Sequence, residues 1–97
     1  MRAQRLTRER DIETYLRDRV KAIGGIAYKF ESPGNAGVPD RLVLLPDGRA
    51  VFVELKAPGK KPTALQEVQH TRIRALDFAV HVVDSKQAVD GFISYYG

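Results

Sequence analysis

The sequence contains no cysteine and no tryptophan, one methionine and two histidines. Without cysteine, disulfides and thiolate metal sites are excluded, and two isolated histidines do not make a zinc site, so any metal must be held by oxygen. Long apolar runs are missing as well. No stretch approaches the roughly 20 residues needed to cross a bilayer, and the opening MRAQRLTRER lacks the apolar segment of a secretory signal. A cytoplasmic location with no membrane partner is therefore expected. There is no internal repeat, low-complexity tract or linker, which leaves residues 1–97 as one small domain whose thin core a second chain can complete.

With 43% hydrophobic and 29% charged residues, the composition is that of an ordinary globular domain. The net charge of +4 favours a polyanionic partner, although only weakly.

The informative stretch covers residues 37–56, GVPDRLVLLPDGRAVFVELK. Ala50, Val51, Phe52, Val53 and Leu55 read as a strand covered on both sides, yet Glu54 and Lys56 interrupt it and Asp40 precedes the neighbouring apolar run. Opposite charges near a sheet interior need a reason. Alternate side chains share a strand face, so Glu54 and Lys56 point one way while Val53 and Leu55 point the other. A first strand, Arg41–Leu45, joins the second through the turn cluster Pro46, Asp47, Gly48 and Arg49. A three-residue loop at 47–49 pairs Leu44 with Phe52, Leu42 with Glu54 and Asp40 with Lys56, whereas an even loop puts Asp40 on the opposite face. The odd register is expected because it alone gathers the three charged groups.

Around this hairpin the pattern gives helix, strand, hairpin, helix, strand and short helix, an α/β domain with a sheet of about four strands and helices against it. Residues 1–6 read as a basic arm. Thr7 is the expected N-cap of a first helix with the stripe Ile12, Tyr15, Leu16, Val20 and Ile23, ended by Gly24 and Gly25. Helical winding places Glu9 nearer that stripe than Glu13, although an acid in the first turn is also explained by the helix dipole. Arg19, on the stripe itself, reads as a snorkelling side chain.

Residues 26–30 form a strand, and the turn-rich loop 31–37 delivers the chain to Pro39 and Asp40. After Lys56 comes the basic loop 57–62. Thr63 then caps a second helix with the stripe Leu65, Val68, Ile73 and Leu76. Thr63-Ala64-Leu65-Gln66 fits a capping box, which gives Gln66 a structural role. Residues 78–84 read as a final buried strand in which His81 is a packing or edge histidine. Ser85 caps a short helix through Phe92, leaving Ile93, Ser94, Tyr95 and Tyr96 as an apolar and aromatic end that invites an intermolecular contact.

Pro39-Asp40 followed by Glu54-Leu55-Lys56 resembles the PD-(D/E)xK nuclease signature. The surrounding words SPGNAGVPDRLVLLPDGRAVFVELKAPGKKPTALQ are similar to the virus-type replication-repair nuclease domain, VRR-NUC, in its small stand-alone bacterial and phage form. The likeness extends from about Glu9 to the C-terminal segment. It implies a restriction-endonuclease-like mixed sheet flanked by helices in the order α-β-β-β-α-β-α, and a Mg²⁺- or Mn²⁺-dependent DNA endonuclease acting as a homodimer on branched DNA, including four-way (Holliday) junctions. It also implies a functional glutamine after ExK, matched by Gln66 with Gln69 as the fallback, and a metal-site glutamate in helix one, matched by Glu9.

Phosphodiester hydrolysis requires an activated water, neutralised phosphoryl oxygens and a stabilised leaving alkoxide, and carboxylate-held metal ions supply all three. Asp40 and Glu54, with the Leu55 carbonyl between Glu54 and Lys56, offer a hard-oxygen site, completed by Glu9 directly or through water. Lys56 orients and deprotonates the attacking water or stabilises the developing negative phosphorane. Lys60, Lys61 and Ser32 are the candidate DNA contacts. Two alternatives stand beside junction resolution. One is a nicking or restriction-like nuclease on flaps or duplex, although 97 residues leave little room for a base-reading segment; the other is a DNA-binding module that does not cut.

Overall fold

The computed structural model describes residues 7–97, so the basic arm expected at residues 1–6 lies outside the described residues. Helix α1 (Glu9–Ala22) leads into strand β1 (Ile26–Lys29). A hairpin of β2 (Arg41–Leu45) and β3 (Arg49–Leu55) follows, then helix α2 (Ala64–Arg74), strand β4 (Val80–Val83) and helix α3 (Lys86–Tyr96). The four strands form one mixed sheet in the order β1-β2-β3-β4, antiparallel except for the parallel β3–β4 pair. This is the expected α-β-β-β-α-β-α arrangement. Among the described residues no helix is long and apolar enough to cross a membrane.

Ile12, Leu16 and Val20, spaced by four, are fully buried, and Tyr15 and Ile23 pack beside them. The helix starts differently from the expected Thr7 cap. Arg8 is the N-cap, and its N–H donates to Asp11 Oδ2 at 3.0 Å, so an acid reaching back from the third helical position does what a hydroxyl was expected to do. At the far end Gly24 takes φ +89° and the Gly25 N–H closes on the Val20 carbonyl. Arg19 is a tether rather than a snorkelling chain: Nη1 donates to Asp90 Oδ1 at 2.7 Å and to the Tyr15 hydroxyl at 3.0 Å, tying α1 to α3. These two helices cover one face of the sheet.

The hairpin pairs Leu45 with Arg49, Val43 with Val51 and Arg41 with Val53. Its connection is the three-residue turn Pro46–Gly48, so the loop is odd as expected but begins one residue earlier than 47–49. Every expected pair moves by two. Leu42 faces Phe52 rather than Glu54, and the next step of the same register sets Asp40 opposite Glu54 rather than Lys56. Pro46 explains the shift: with no N–H to give the ladder it joins the turn, leaving Asp47 and Gly48 to take φ of 71° and 74°. Because the parity is unchanged, Asp40, Glu54 and Lys56 do share a face.

That second face is only partly covered. Helix α2 lies over its β3–β4 side, rolled by about a quarter turn from the expected orientation. Of the expected stripe only Ile73 is partly buried; Leu65, Val68 and Leu76 are exposed, and the fully buried side chain of α2 is His70. Phe30, Phe52 and Phe78 cross this face edge to face, with Ile26, Tyr28 and Leu44 exposed beside them. The expected buried last strand is an edge strand that leaves Val82 partly in solvent. Helix α3 runs past Phe92 to Tyr96, whose hydroxyl folds back to within 2.6 Å of His81 Nε2. Of the apolar and aromatic side chains at that end only Tyr95 is exposed.

Candidate active site

The first residues of β2, the last of β3 and the first turns of α2 meet at one end of the sheet. Loop 31–37 enters there, and Gly37 makes the approach possible: its φ is +91°, and a Cβ at this position would lie 2.9 Å from the Leu65 carbonyl oxygen. Pro39 is buried directly before Asp40.

Asp40 Oδ2 accepts the Leu55 N–H at 2.8 Å, a bond that carries the β2–β3 pairing one step beyond Arg41–Val53 and holds the carboxylate beside β3. Glu54 is 1% exposed. Its Oε2 accepts from Gln66 Nε2 at 2.9 Å and lies 3.9 Å from Lys56 Nζ. Its Oε1 is buried with no hydrogen-bond partner, and His70 Nε2 stands 3.5 Å away. Burial and then the neighbouring Asp40 push the Glu54 carboxyl from 4.5 up to about 8, with Lys56 opposing and Glu9 adding to the rise. Two acids crowded side by side at the end of a hairpin, one of them sealed from solvent, are not a device for stability.

No protein-family model matches the sequence. Over 82 residues the chain is 58% identical to "Putative nuclease p44" of Acyrthosiphon pisum secondary endosymbiont phage 1, an alignment spanning 84% of this chain and 88% of that protein. A solved structure described as a VRR_NUC domain matches with a TM-score of 0.87 at 38% identity, covering 94% of this chain and 99% of that one. The chain belongs to the VRR-NUC nuclease family.

In this VRR-NUC chain Gln66 closes the capping box and also reaches Glu54. Its Oε1 accepts the Thr63 N–H at 2.9 Å, Thr63 Oγ1 accepts the Gln66 N–H at 3.2 Å, and the Nε2 end remains for Glu54. Gln69 is placed elsewhere, donating to the Ala36 carbonyl at 3.3 Å and so fastening loop 31–37 to α2. The two acids of α1 separate just as clearly. Glu13 Oε2 accepts from Arg41 Nε at 2.8 Å, an ion pair that consumes its charge. Glu9 is exposed, but partial desolvation and then Asp40 raise its pKa, which places it within electrostatic reach of the carboxylate pair.

Lys60 and Lys61 are exposed in the loop that leaves β3, while Ser32 Oγ, in the loop that enters β2, accepts from Asn35 Nδ2 at 2.9 Å. One residue packed against Glu54 is not among those the sequence singles out. His70 is fully buried against Glu54, and burial with the nearby Arg74 pushes its pKa below 6.5. Its signal was the spacing of four from Gln66, which puts both side chains on one face of α2.

Among the described residues no cluster of three or more His, Cys, Asp or Glu is assembled as a cation site. What converges is smaller: the Asp40 and Glu54 carboxylates, and the Leu55 carbonyl, which projects from the same strand edge as the N–H bound to Asp40. Two carboxylates with open positions suit Mg²⁺ or Mn²⁺, which keep several waters, better than a full protein cage would. The orphaned, buried Glu54 Oε1 fits such an ion, since a divalent charge removes both the acid–acid repulsion and the unmet hydrogen-bonding need.

Proposed function

We propose that this VRR-NUC protein is a divalent-metal-dependent endodeoxyribonuclease that hydrolyses phosphodiester bonds in branched DNA, four-way junctions above all, as a homodimer. One observation carries the reading: Asp40 and Glu54 face each other across the open end of the hairpin, with Lys56 and Gln66 beside them. Plain DNA binding is driven by cations on phosphates and gives no role to crowded carboxylates.

Asp40, Glu54 and the Leu55 carbonyl would hold Mg²⁺ or Mn²⁺, with Glu9 assisting through water. Bound there, the cation supplies water activation and neutralises charge on the phosphoryl oxygens and the leaving alkoxide. Asp40 is kept in place by the Leu55 N–H and Glu54 by the Gln66 amide, so neither acid has to be reoriented when DNA arrives. Lys56, its side chain 14% exposed, orients the attacking water and stabilises the negative charge developing on the phosphorane. Lys60, Lys61 and Ser32 contact the flanking backbone.

The homodimer is supported by the half-covered face. Ile26, Tyr28 and Leu44 on the sheet, Phe78 just before β4, Leu65 and Val68 on α2 and Leu76 just after it are large apolar side chains left exposed, of the kind a second subunit covers. A two-fold pair of active sites matches the two symmetric incisions that a junction requires. Labelled four-way junction, flap and linear duplex are incubated with Mg²⁺, Mn²⁺ and EDTA, alongside sedimentation of the free protein. Metal-dependent cutting is expected on the junction at least tenfold faster than on duplex, with a sedimenting mass near twice 10.9 kDa and a monomer for Tyr28→Glu combined with Leu76→Glu. Equal rates on junction and duplex reject the substrate; cutting in EDTA rejects the mechanism.

A further inference from the structure

Helix α2 presents two side chains to Glu54, one turn apart. Gln66 takes Oε2 at 2.9 Å, and His70 faces Oε1 at 3.5 Å. His70 is 0% exposed, and neither its ring nitrogens nor Glu54 Oε1 has any hydrogen-bond partner. Polar atoms buried without partners are rare, and each costs about 1–3 kcal/mol. Here two of the orphans, His70 Nε2 and Glu54 Oε1, point at one another across a gap that a shift of about 0.5 Å closes to hydrogen-bond length. A side chain wanted only for volume at this buried place would be leucine or methionine.

Resting on the metal-site reading of Glu54, we infer that His70 is a positioning residue: its Nε2–H donates to Glu54 Oε1 and forms, with Gln66 on Oε2, a two-point clamp that fixes the plane of the Glu54 carboxylate for the cation. One donor leaves a carboxylate free to rotate about its last bond; two donors, one per oxygen, do not. The tautomer follows from the surroundings. Glu54 is enclosed and cannot turn away, so the imidazole proton belongs on Nε2. The Nδ1 side looks toward Glu67 Oε1 at 3.7 Å, a carboxylate 60% exposed that water solvates without a donor from His70. Gln66 and His70 ride on the same helix, so the clamp is set by the docking of α2 and needs no further element.

The test measures Mn²⁺ affinity by electron paramagnetic resonance for wild type, Asp40→Ala, His70→Leu and His70→Gln, with cleavage kinetics alongside. His70→Leu keeps the volume and loses the donor. It is expected to bind Mn²⁺ about 10- to 100-fold more weakly and to lose kcat with KM for DNA unchanged, while His70→Gln, which keeps a donor, recovers most of the affinity. Wild-type affinity in a folded His70→Leu, or equal losses in the leucine and glutamine variants, overturns the clamp. Failure of the wild type to bind Mn²⁺ more tightly than Asp40→Ala overturns the metal reading itself, and the clamp with it. Independently of any variant, long-range ¹⁵N spectra of the wild type in Mg²⁺ are expected to show the Nε2-protonated form of His70, and the Nδ1-protonated form refutes the inference.

Discussion

Asp40→Asn is expected to lower kcat on any cleaved DNA on the order of 10³-fold and, at the same time, to make the metal-free protein more stable. The two effects come from one change. Asparagine keeps an oxygen for the Leu55 N–H, so the local pairing survives, but it removes the charge that crowds Glu54. Above about pH 8, where Glu54 is ionised, the two like charges directly opposite on adjacent strands are destabilising by up to about 1 kcal/mol, which for a domain of this size corresponds to roughly 4–8 °C in Tm. A residue kept for the fold would show loss of stability on substitution, and a residue kept for the chemistry shows the reverse. Thermal melts in EDTA beside single-turnover cleavage in Mg²⁺ decide the matter. A variant that melts lower than wild type and still cuts would remove Asp40 from the mechanism.

The second large effect is a stability that falls with rising pH and is recovered by metal. Glu54 has its folded pKa raised from 4.5 to about 8, so its contribution is fully present below pH 4.5 and is lost as pH climbs toward 8. Glu9, also raised, tilts the curve the same way. His70 and His81, lowered from 6.5 by burial, tilt it the opposite way, but only below pH 6.5. Between pH 6.5 and 8 the decline therefore reports Glu54, with Asp40, Lys56 and Glu9 as the charges around it. A divalent cation held there would bind the ionised carboxylates and displace the proton, so Mn²⁺ at 100 times its Kd should add about 2.7 kcal/mol at pH 8 and raise Tm by roughly 10–20 °C. Glu54→Gln is expected to flatten the metal-free profile and abolish the Mn²⁺ response. A flat wild-type profile, or a slope unchanged in Glu54→Gln, contradicts the assignment.

The sequence revealed the architecture because the periodicities were clean: Ile12, Leu16 and Val20 for α1, alternating valines through β3, and Thr63 and Ser85 as hydroxyl caps that accept from Gln66 and Ala88. It revealed less where two rules competed. At Pro46 the turn signal outranked the assumption that the loop sat at 47–49, and the register moved by two. At α2 the amphipathic stripe was real, yet tertiary placement turned it outward and faced a half-buried Gln66 and a buried His70 toward Glu54 instead. Hydrophobic periodicity identifies a face that wants to leave water, without saying whether the same chain supplies the cover. His70 went unread for a related reason, since a lone histidine in a helix carries no signal until the strand it faces is known.

Gln66 links two events that are separate in most enzymes. One end of its amide belongs to the capping box that starts α2, and the other end steadies a buried carboxylate. Fraying of a single helical turn, a subglobal opening that costs less than unfolding the sheet, is therefore expected to release the Glu54 carboxylate while most of the molecule stays native. On warming, cleavage activity should disappear several degrees before the circular dichroism of the strands does. Coincidence of the two transitions would mean that the helix start and the active centre are not coupled through this side chain.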